Sequence, residues 1–271
     1  MLTVFSNAWK ERVLIRRLVN REIQARYRGS ALGIVWAALL PLATISIYTF
    51  VFGTIFRARW SVPEHAVANS SSEYSFGIML FVGFIIFGIF SEPINRAPGL
   101  MLENPSYIKK VVFPLDVLAW VSVLASLVSA GIAFAVFLVI FTVMYGLPSI
   151  MILLLPFIIL PIVFIALGFT YILSSLGVYI RDIRQFIPLM TTMMMFLSPV
   201  LYPIENVPER FRQLILINPL TIGITQARDA IFWGKLPNIL EWSAYLLVSV
   251  AILVAGHAWF TRTKKGFADV L

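Results

Sequence analysis

One run of 64 residues, Val117–Ile180, contains no charged side chain. No other feature limits the possible folds so sharply. A run of that length suits hydrocarbon, where an ionised side chain at the bilayer centre costs about 3 kcal/mol or more. It is too long for one crossing, because a helix rising about 1.5 Å per residue spans a ~30 Å core in about 20 residues. Gly146-Leu147-Pro148-Ser149, near its middle, reads as a tight turn between two helices. Leu32–Phe56, Tyr74–Ser91, Gln185–Ile204 and Trp242–Thr261 also lack Asp, Glu, Lys and Arg. The expectation is an all-α integral membrane protein with six transmembrane helices, near 32–56, 74–96, 116–145, 150–180, 185–203 and 240–261. A single transmembrane domain is expected over 1–271, with an interfacial segment at 1–31, the six-helix body at 32–261 and a tail at 262–271.

Composition agrees with a membrane solvent. Hydrophobic residues make up 60% of the chain and charged residues 13%, against about 25% charged in a soluble domain. The net charge is +8. In a soluble chain this would raise nucleic acid as a partner, but here the positive residues flank apolar runs, so membrane lipids and topology are the expected cause and no nucleic acid is expected. On one side of the six-helix map lie the amino-terminal tail, the loop after helix two, the turn before helix five and the carboxyl tail, which together hold 15 Lys and Arg; the other side holds 6. The positive-inside rule then places both termini in the cytoplasm of a bacterial inner-membrane, multi-pass protein. The first 31 residues carry seven basic side chains and no unbroken apolar core, so the first helix is expected to direct insertion itself.

Three segments depart from plain spanning helices. Ile15, Val19, Ile23 and Tyr27 recur every four residues between Arg16, Arg17, Arg21 and Arg28. This pattern predicts an amphipathic interfacial helix, serving either only as a topology anchor or as a brace or docking surface for a cytoplasmic partner. The loop Ala97–Asp116 contains Asn104-Pro105-Ser106-Tyr107-Ile108-Lys109-Lys110, where Pro105 marks the start of a short helix. Such a knob could present Tyr107 and Ile108 to another protein, or simply re-enter the interface. Phe211–Ile217 and Leu220–Ala227 are apolar, too short to span and separated by Asn218-Pro219. They are expected as two short re-entrant helices on the outer side, between helices five and six; an amphipathic loop outside the membrane is the alternative.

Several chemistries find no support. A phosphate-cradling loop needs G-x-x-x-x-G-K-[ST]. The single Gly-Lys pair, Gly234-Lys235, is followed by Leu236, and Asp stands at 229. The chain is therefore expected not to hydrolyse ATP. Cysteine is absent and only His65 and His257 are present, so no metal site is expected. His257 is expected to be solvated at the interface. The helix cores hold almost no ionisable groups, which disfavours an ion-coupled carrier. No catalytic constellation stands out among the outer carboxylates, which disfavours a membrane glycosyltransferase or ligase.

Aromatic and methionine stripes remain. Trp36 opens helix one, and Tyr48, Phe52 and Phe56 step along one face of it. Helix five carries Met193 and Phe196, with Tyr202 at its end. Ordinary helix packing or lipid contact would explain such stripes. They could also line a passage, since flat rings stack on the C–H faces of sugars.

The run Arg21-Glu22-Ile23-Gln24-Ala25-Arg26-Tyr27-Arg28-Gly29-Ser30-Ala31-Leu32-Gly33-Ile34-Val35-Trp36, followed by Pro41-Leu42, resembles the start of polysaccharide-export ABC-transporter permeases. Asn104-Pro105 through Phe113-Pro114, Tyr179–Ile183, Ser198–Pro203 and Asn218-Pro219-Leu220 fit the same family in the same order. The nearest resemblance is to the Wzm-like subunit that exports O-antigen on a polyprenyl diphosphate carrier; capsule and teichoic-acid exporters share the plan. The resemblance implies a homodimer joined to two copies of an ATP-binding subunit, which would hold ATP and magnesium while this chain holds no cofactor. It implies an interfacial helix at 5–28 and a coupling helix formed by Asn104, Ser106, Tyr107, Ile108, Lys109 and Lys110. A lipid-diphosphate end would meet Arg26, Arg28, Arg181 or Arg184. The polymer would pass between protomers, along Trp36, Tyr48, Phe52, Phe56, Met193, Phe196 and Tyr202.

Overall fold

The computed structural model describes residues 2–30, 32–56, 72–109 and 113–270. Lys110 and the outer-side segment 57–71 lie outside these residues. Among the described residues every regular element is helical. Five helices are long and apolar enough to cross a membrane: Trp36–Ile55, Phe76–Gly99, Asp116–Tyr145, Ile150–Tyr179 and Ile239–Gly266. The chain is thus a multi-pass helical membrane protein.

The amino terminus forms α1 (Leu2–Lys10) and α2 (Arg12–Tyr27). The first span is α3 (Trp36–Tyr48), which loosens into a π-helix over Thr49–Ile55. The second is α4 (Ser72–Arg96), followed by the short α5 (Pro105–Lys109). The uncharged 64-residue run divides into α6 (Asp116–Tyr145) and α7 (Leu155–Tyr179), the latter preceded by a 3-10 turn at Ile150–Leu154. Gly146 closes α6 at φ 86°, a conformation open to glycine, and the Ser149 hydroxyl accepts from the Met151 amide to start the next turn.

The helix expected at 185–203 is shorter than its uncharged run. It forms α8 (Ile183–Phe196), 14 residues, or about 21 Å of helix against a ~30 Å core. Its end is set by side chains distant in sequence. The Asn218 amide donates to the carbonyls of Met194 at 3.0 Å and Leu197 at 3.1 Å, satisfying acceptors that an open helix end leaves orphaned. The Asn218 carbonyl oxygen in turn accepts from the Leu220 amide and caps α10 (Pro219–Phe232). Between them lies α9 (Glu209–Ile217). The expected break at Asn218-Pro219 is therefore present, but α10 extends five residues beyond 227 and is buried against α4 and α7.

The last span is α11 (Ile239–Thr263), capped by Asn238 through the Leu240 and Glu241 amides. It packs most extensively against α7. A Cβ on Gly168 would meet the Ile252 carbonyl oxygen at 2.8 Å, and one on Gly256 would strike the Gly168 backbone. Small residues let the two backbones approach, as membrane helices require when water gives no drive to associate. The tail beyond 262 folds back: Phe267, in α12 (Phe267–Val270), is fully buried beside Phe260 and Tyr179. One apolar core runs through α4, α6, α7, α10 and α11.

Candidate functional site

The end of the bundle where α2, α5 and the carboxyl-terminal tail meet gathers most of the charge. The apolar face of α2 does not point into lipid. Ile15, Leu18 and Val19 are buried against Val117 and Val121 of α6. The helix thus packs on the body of its own chain.

Charged side chains fasten the helix. Arg26 pairs with Glu92 of α4, lies 3.8 Å from Glu22 and donates to the Ser129 hydroxyl of α6 at 3.0 Å. Arg96 of α4 pairs with Glu22. Two arginines and two carboxylates thus alternate between α2 and α4. Their side chains keep 22–33% exposure, so each pair contributes on the order of 1 kcal/mol, and the value of the network lies more in fixing geometry. At the start of α6, thirteen positions before Ser129 and about 20 Å along the helix, Lys264 reaches the Asp116 carboxylate at 3.1 Å and ties down the tail.

The short helix α5 is held by both flanks. The Asn104 amide donates to the Leu100 carbonyl at 2.9 Å. The Tyr107 ring stacks on Phe113 at 4.3 Å and 9°, and its hydroxyl accepts from Arg21 of α2 at 2.9 Å. Tyr107 and Ile108 are therefore half-buried against their own chain, while Pro105 and Ser106 are exposed. Of Lys109 only the backbone is described. Next to this helix, Arg184 pairs with Glu103 at 2.9 Å.

The four arginines expected to meet a diphosphate are accordingly not equivalent. Arg26 is half-buried in its ion pairs, whereas Arg28, Arg181 and Arg184 are exposed, Arg184 while paired with Glu103. The seven residues expected to line a passage also divide. Tyr48 stacks on Phe84 of α4 at 4.6 Å, and Phe52 lies 5.8 Å from Phe76, so these two rings pack inward. Trp36, Phe56, Met193 and Phe196 are exposed, by 37%, 67%, 45% and 57%. Tyr202 is half-buried, its hydroxyl donating to the Phe196 carbonyl at 2.7 Å. On α8 the exposed Phe186, Leu189, Met193 and Phe196 follow one helical face. On the opposite face Thr191 donates to the Asn95 side-chain oxygen of α4 at 2.9 Å. The π-helical stretch at 49–55 keeps the four-residue aromatic steps close to one face, with successive rings 6.0 and 5.7 Å apart.

One functional-type residue escapes the sequence pattern. Arg228, counted there among outer-side positives, is 3% exposed inside the protein. Its guanidinium donates to the carbonyls of Met79 at 2.9 Å and Val200 at 2.8 Å, and to that of Pro199. A Cβ on Gly83 would lie 2.5 Å from the guanidinium, so glycine makes its room. The five-donor fork suits a site where several carbonyls converge. The signal that could have revealed it is a lone arginine inside the apolar window 220–232. His257 also departs from expectation: its ring meets Tyr171 edge-on at 5.3 Å inside the bundle. Among the described residues no group of three His, Cys, Asp or Glu could hold a metal ion.

Residues 13–232, which hold nearly all of α2, the short α5 and the broken segment at Asn218-Pro219, match the ABC-2 type transporter family. The chain belongs to the ABC-2 type transporter family. It is a transport subunit and not an enzyme. Among relatives of this ABC-2 transporter, the O-antigen export system permease protein RfbA of Myxococcus xanthus is 28% identical over 99% of both chains. The protein of that name from Klebsiella pneumoniae is 28% identical over 94% of this chain and 93% of its own. The polysialic acid transport protein KpsM of Escherichia coli is 23% identical over 94% of this chain and 95% of its own. Membership of the family implies pairing with an ATP-binding subunit.

Proposed function

We propose that the chain is the permease of an exporter that moves a lipid-linked polysaccharide, O-antigen on a polyprenyl diphosphate carrier, across the bacterial inner membrane. The end-to-end similarity to two O-antigen permeases carries this reading. Capsular polysaccharide is the second reading, favoured by the similarity to KpsM. Both termini face the cytoplasm, as the Lys and Arg bias requires. The α8–Tyr202 segment completes a sixth passage, and α9 with α10 re-enters from the outer side.

Two protomers and two ATP-binding subunits form the working unit. Support for a homodimer comes from the first span, α3 with its π-helix, which the chain's own residues scarcely cover. Its exposed rings, Trp36 and Phe56, and the Met193–Phe196 face of α8 would flank the polymer, with Tyr48, Phe52 and Tyr202 packed behind them. Asn104, Ser106, Tyr107, Ile108, Lys109 and Lys110 form the coupling segment. Arg28, Arg181 and Arg184, being exposed, are the stronger candidates for the diphosphate, with the half-buried Arg26 positioning α2.

The test is deletion followed by complementation, together with reconstitution alongside an ATP-binding subunit from the same organism. Loss of surface polymer, with lipid-linked polymer accumulating inside, is the expected phenotype. Undiminished surface polymer in the deletion strain would refute the proposal.

A further inference from the structure

A groove of about 1060 Å³ runs between the amino-terminal helices and α6, bordered by Trp9, Arg12, Arg16, Trp120 and Leu124. A second cavity of about 360 Å³ lies among α4, α6 and α7, lined by side chains such as Ile86, Phe134, Leu138 and Ile159. Leu127 borders both. On α6 the residues Leu124, Leu127, Val128, Gly131, Phe134 and Leu138 recur at three- and four-residue steps, so both hollows lie along one face of that helix. The two hollows follow one another along α6 as a channel narrowed at Leu127, with cationic groups at its mouth and a largely apolar floor.

We propose that this channel holds one anionic glycerophospholipid, its phosphate between Arg12 and Arg16 and one acyl chain following the α6 stripe into the inner cavity. Charge complementarity and position select this occupant. Arg12 and Arg16 are exposed. Arg12 is held at the mouth by a 3.0 Å hydrogen bond to the Trp9 carbonyl and lies 5.2 Å from the Trp9 ring. That leaves further guanidinium donors for a phosphate, while tryptophan is at home at headgroup depth. A neutral helix laid in the groove would cover both guanidinium groups without neutralising them, a costly burial. A phosphodiester neutralises them, and its chain meets only hydrocarbon. The site is separate from Arg28 and Arg181: Arg28 lies 12 positions beyond Arg16, about 18 Å along α2. The lipid wedges α2 against α6, beside the Ile15–Val121 contact.

The full-length chain, purified and delipidated in detergent, is titrated with phosphatidylglycerol or phosphatidylethanolamine and read by native mass spectrometry. One phosphatidylglycerol per protomer is expected, with about tenfold or greater preference over phosphatidylethanolamine. The pair Arg12→Gln and Arg16→Gln abolishes the preference, whereas Arg17→Gln, outside the groove, retains it. Gly131→Phe fills the channel, since a Cβ there meets nothing within 4 Å, and lowers binding of both lipids; Leu127→Trp does so if that variant fails to fold. Equal binding of the two lipids, unchanged binding in both filled variants, or displacement by polyprenyl diphosphate would overturn the assignment. So would a disulfide between protomers through Val128→Cys in this cysteine-free chain, which would show a second copy in the groove.

Discussion

Arg21 on α2 donates to the hydroxyl of Tyr107 on α5 at 2.9 Å, across 86 positions of sequence. Five residues further along α2, Arg26 reaches Glu92 and Ser129. Through α2, the short helix α5 is therefore linked to both α4 and α6.

Removing the Tyr107 hydroxyl tests that path. Tyr107→Phe keeps the ring on Phe113 and deletes only the hydrogen bond, so folding should survive at a cost of about 1 kcal/mol. ATP hydrolysis by the reconstituted complex should persist while transport falls several-fold. Lys109→Glu should behave the same way without blocking membrane insertion. Full transport in both variants would remove α5 from the coupling path.

The alternating charges between α2 and α4 predict rescue. Glu22→Arg alone sets three guanidinium groups together with Glu92 as the single carboxylate, and should lower the melting temperature and transport. Adding Arg96→Glu restores the Glu22–Arg96 pair with its polarity reversed and should recover much of both. A double variant no better than the single one would mean that the pair contributes no specific coupling.

Arg228 should not tolerate apolar replacement. Arg228→Met leaves the carbonyls of Pro199 and Val200 without their buried donor, at a cost of about 3 kcal/mol. Loss of folded protein in detergent melts is expected, and Arg228→Lys should recover only part, since one ammonium cannot reproduce the fork. Wild-type stability in Arg228→Met would show that these carbonyls find other donors.

The α7–α11 seam should reject bulk. Gly256→Val places atoms against the Gly168 backbone, and overpacking of this kind costs about 1–3 kcal/mol. Gly131→Ala, in open space, should leave thermal stability unchanged. Equal melting temperatures for the two variants would contradict the close approach of these helices.

What the sequence makes legible here is whatever depends on the solvent. Runs free of charge locate the spans at Val117–Ile180 and elsewhere, because burying a charge in hydrocarbon is prohibitive whichever neighbours surround it. Turn chemistry at Gly146–Ser149 and the break at Asn218-Pro219 are equally local, being set by backbone geometry. Family resemblance was readable for the same reason, since its motifs lie at those breaks and ends. The aromatic stripe was legible as a stripe, but not its direction: only the position of α4 decides that Tyr48 and Phe52 face inward.

Tertiary structure decided every feature that depends on a distant partner. The uncharged run to Ile204 invited a longer helix, yet α8 stops at Phe196 because Asn218 and Arg228 take its terminal carbonyls and those just beyond it. The pattern of α2 leaves open what its apolar face meets, and packing sets that face against Val117 and Val121 of α6. Arginines that look alike in sequence separate by burial: Arg26 is half-buried in ion pairs, whereas Arg28, Arg181 and Arg184 are exposed. Hydropathy is a property of one residue and its solvent, and the sequence carries it whole. An ion pair or a cap is a property of two residues brought together by packing, and only the folded chain fixes which two.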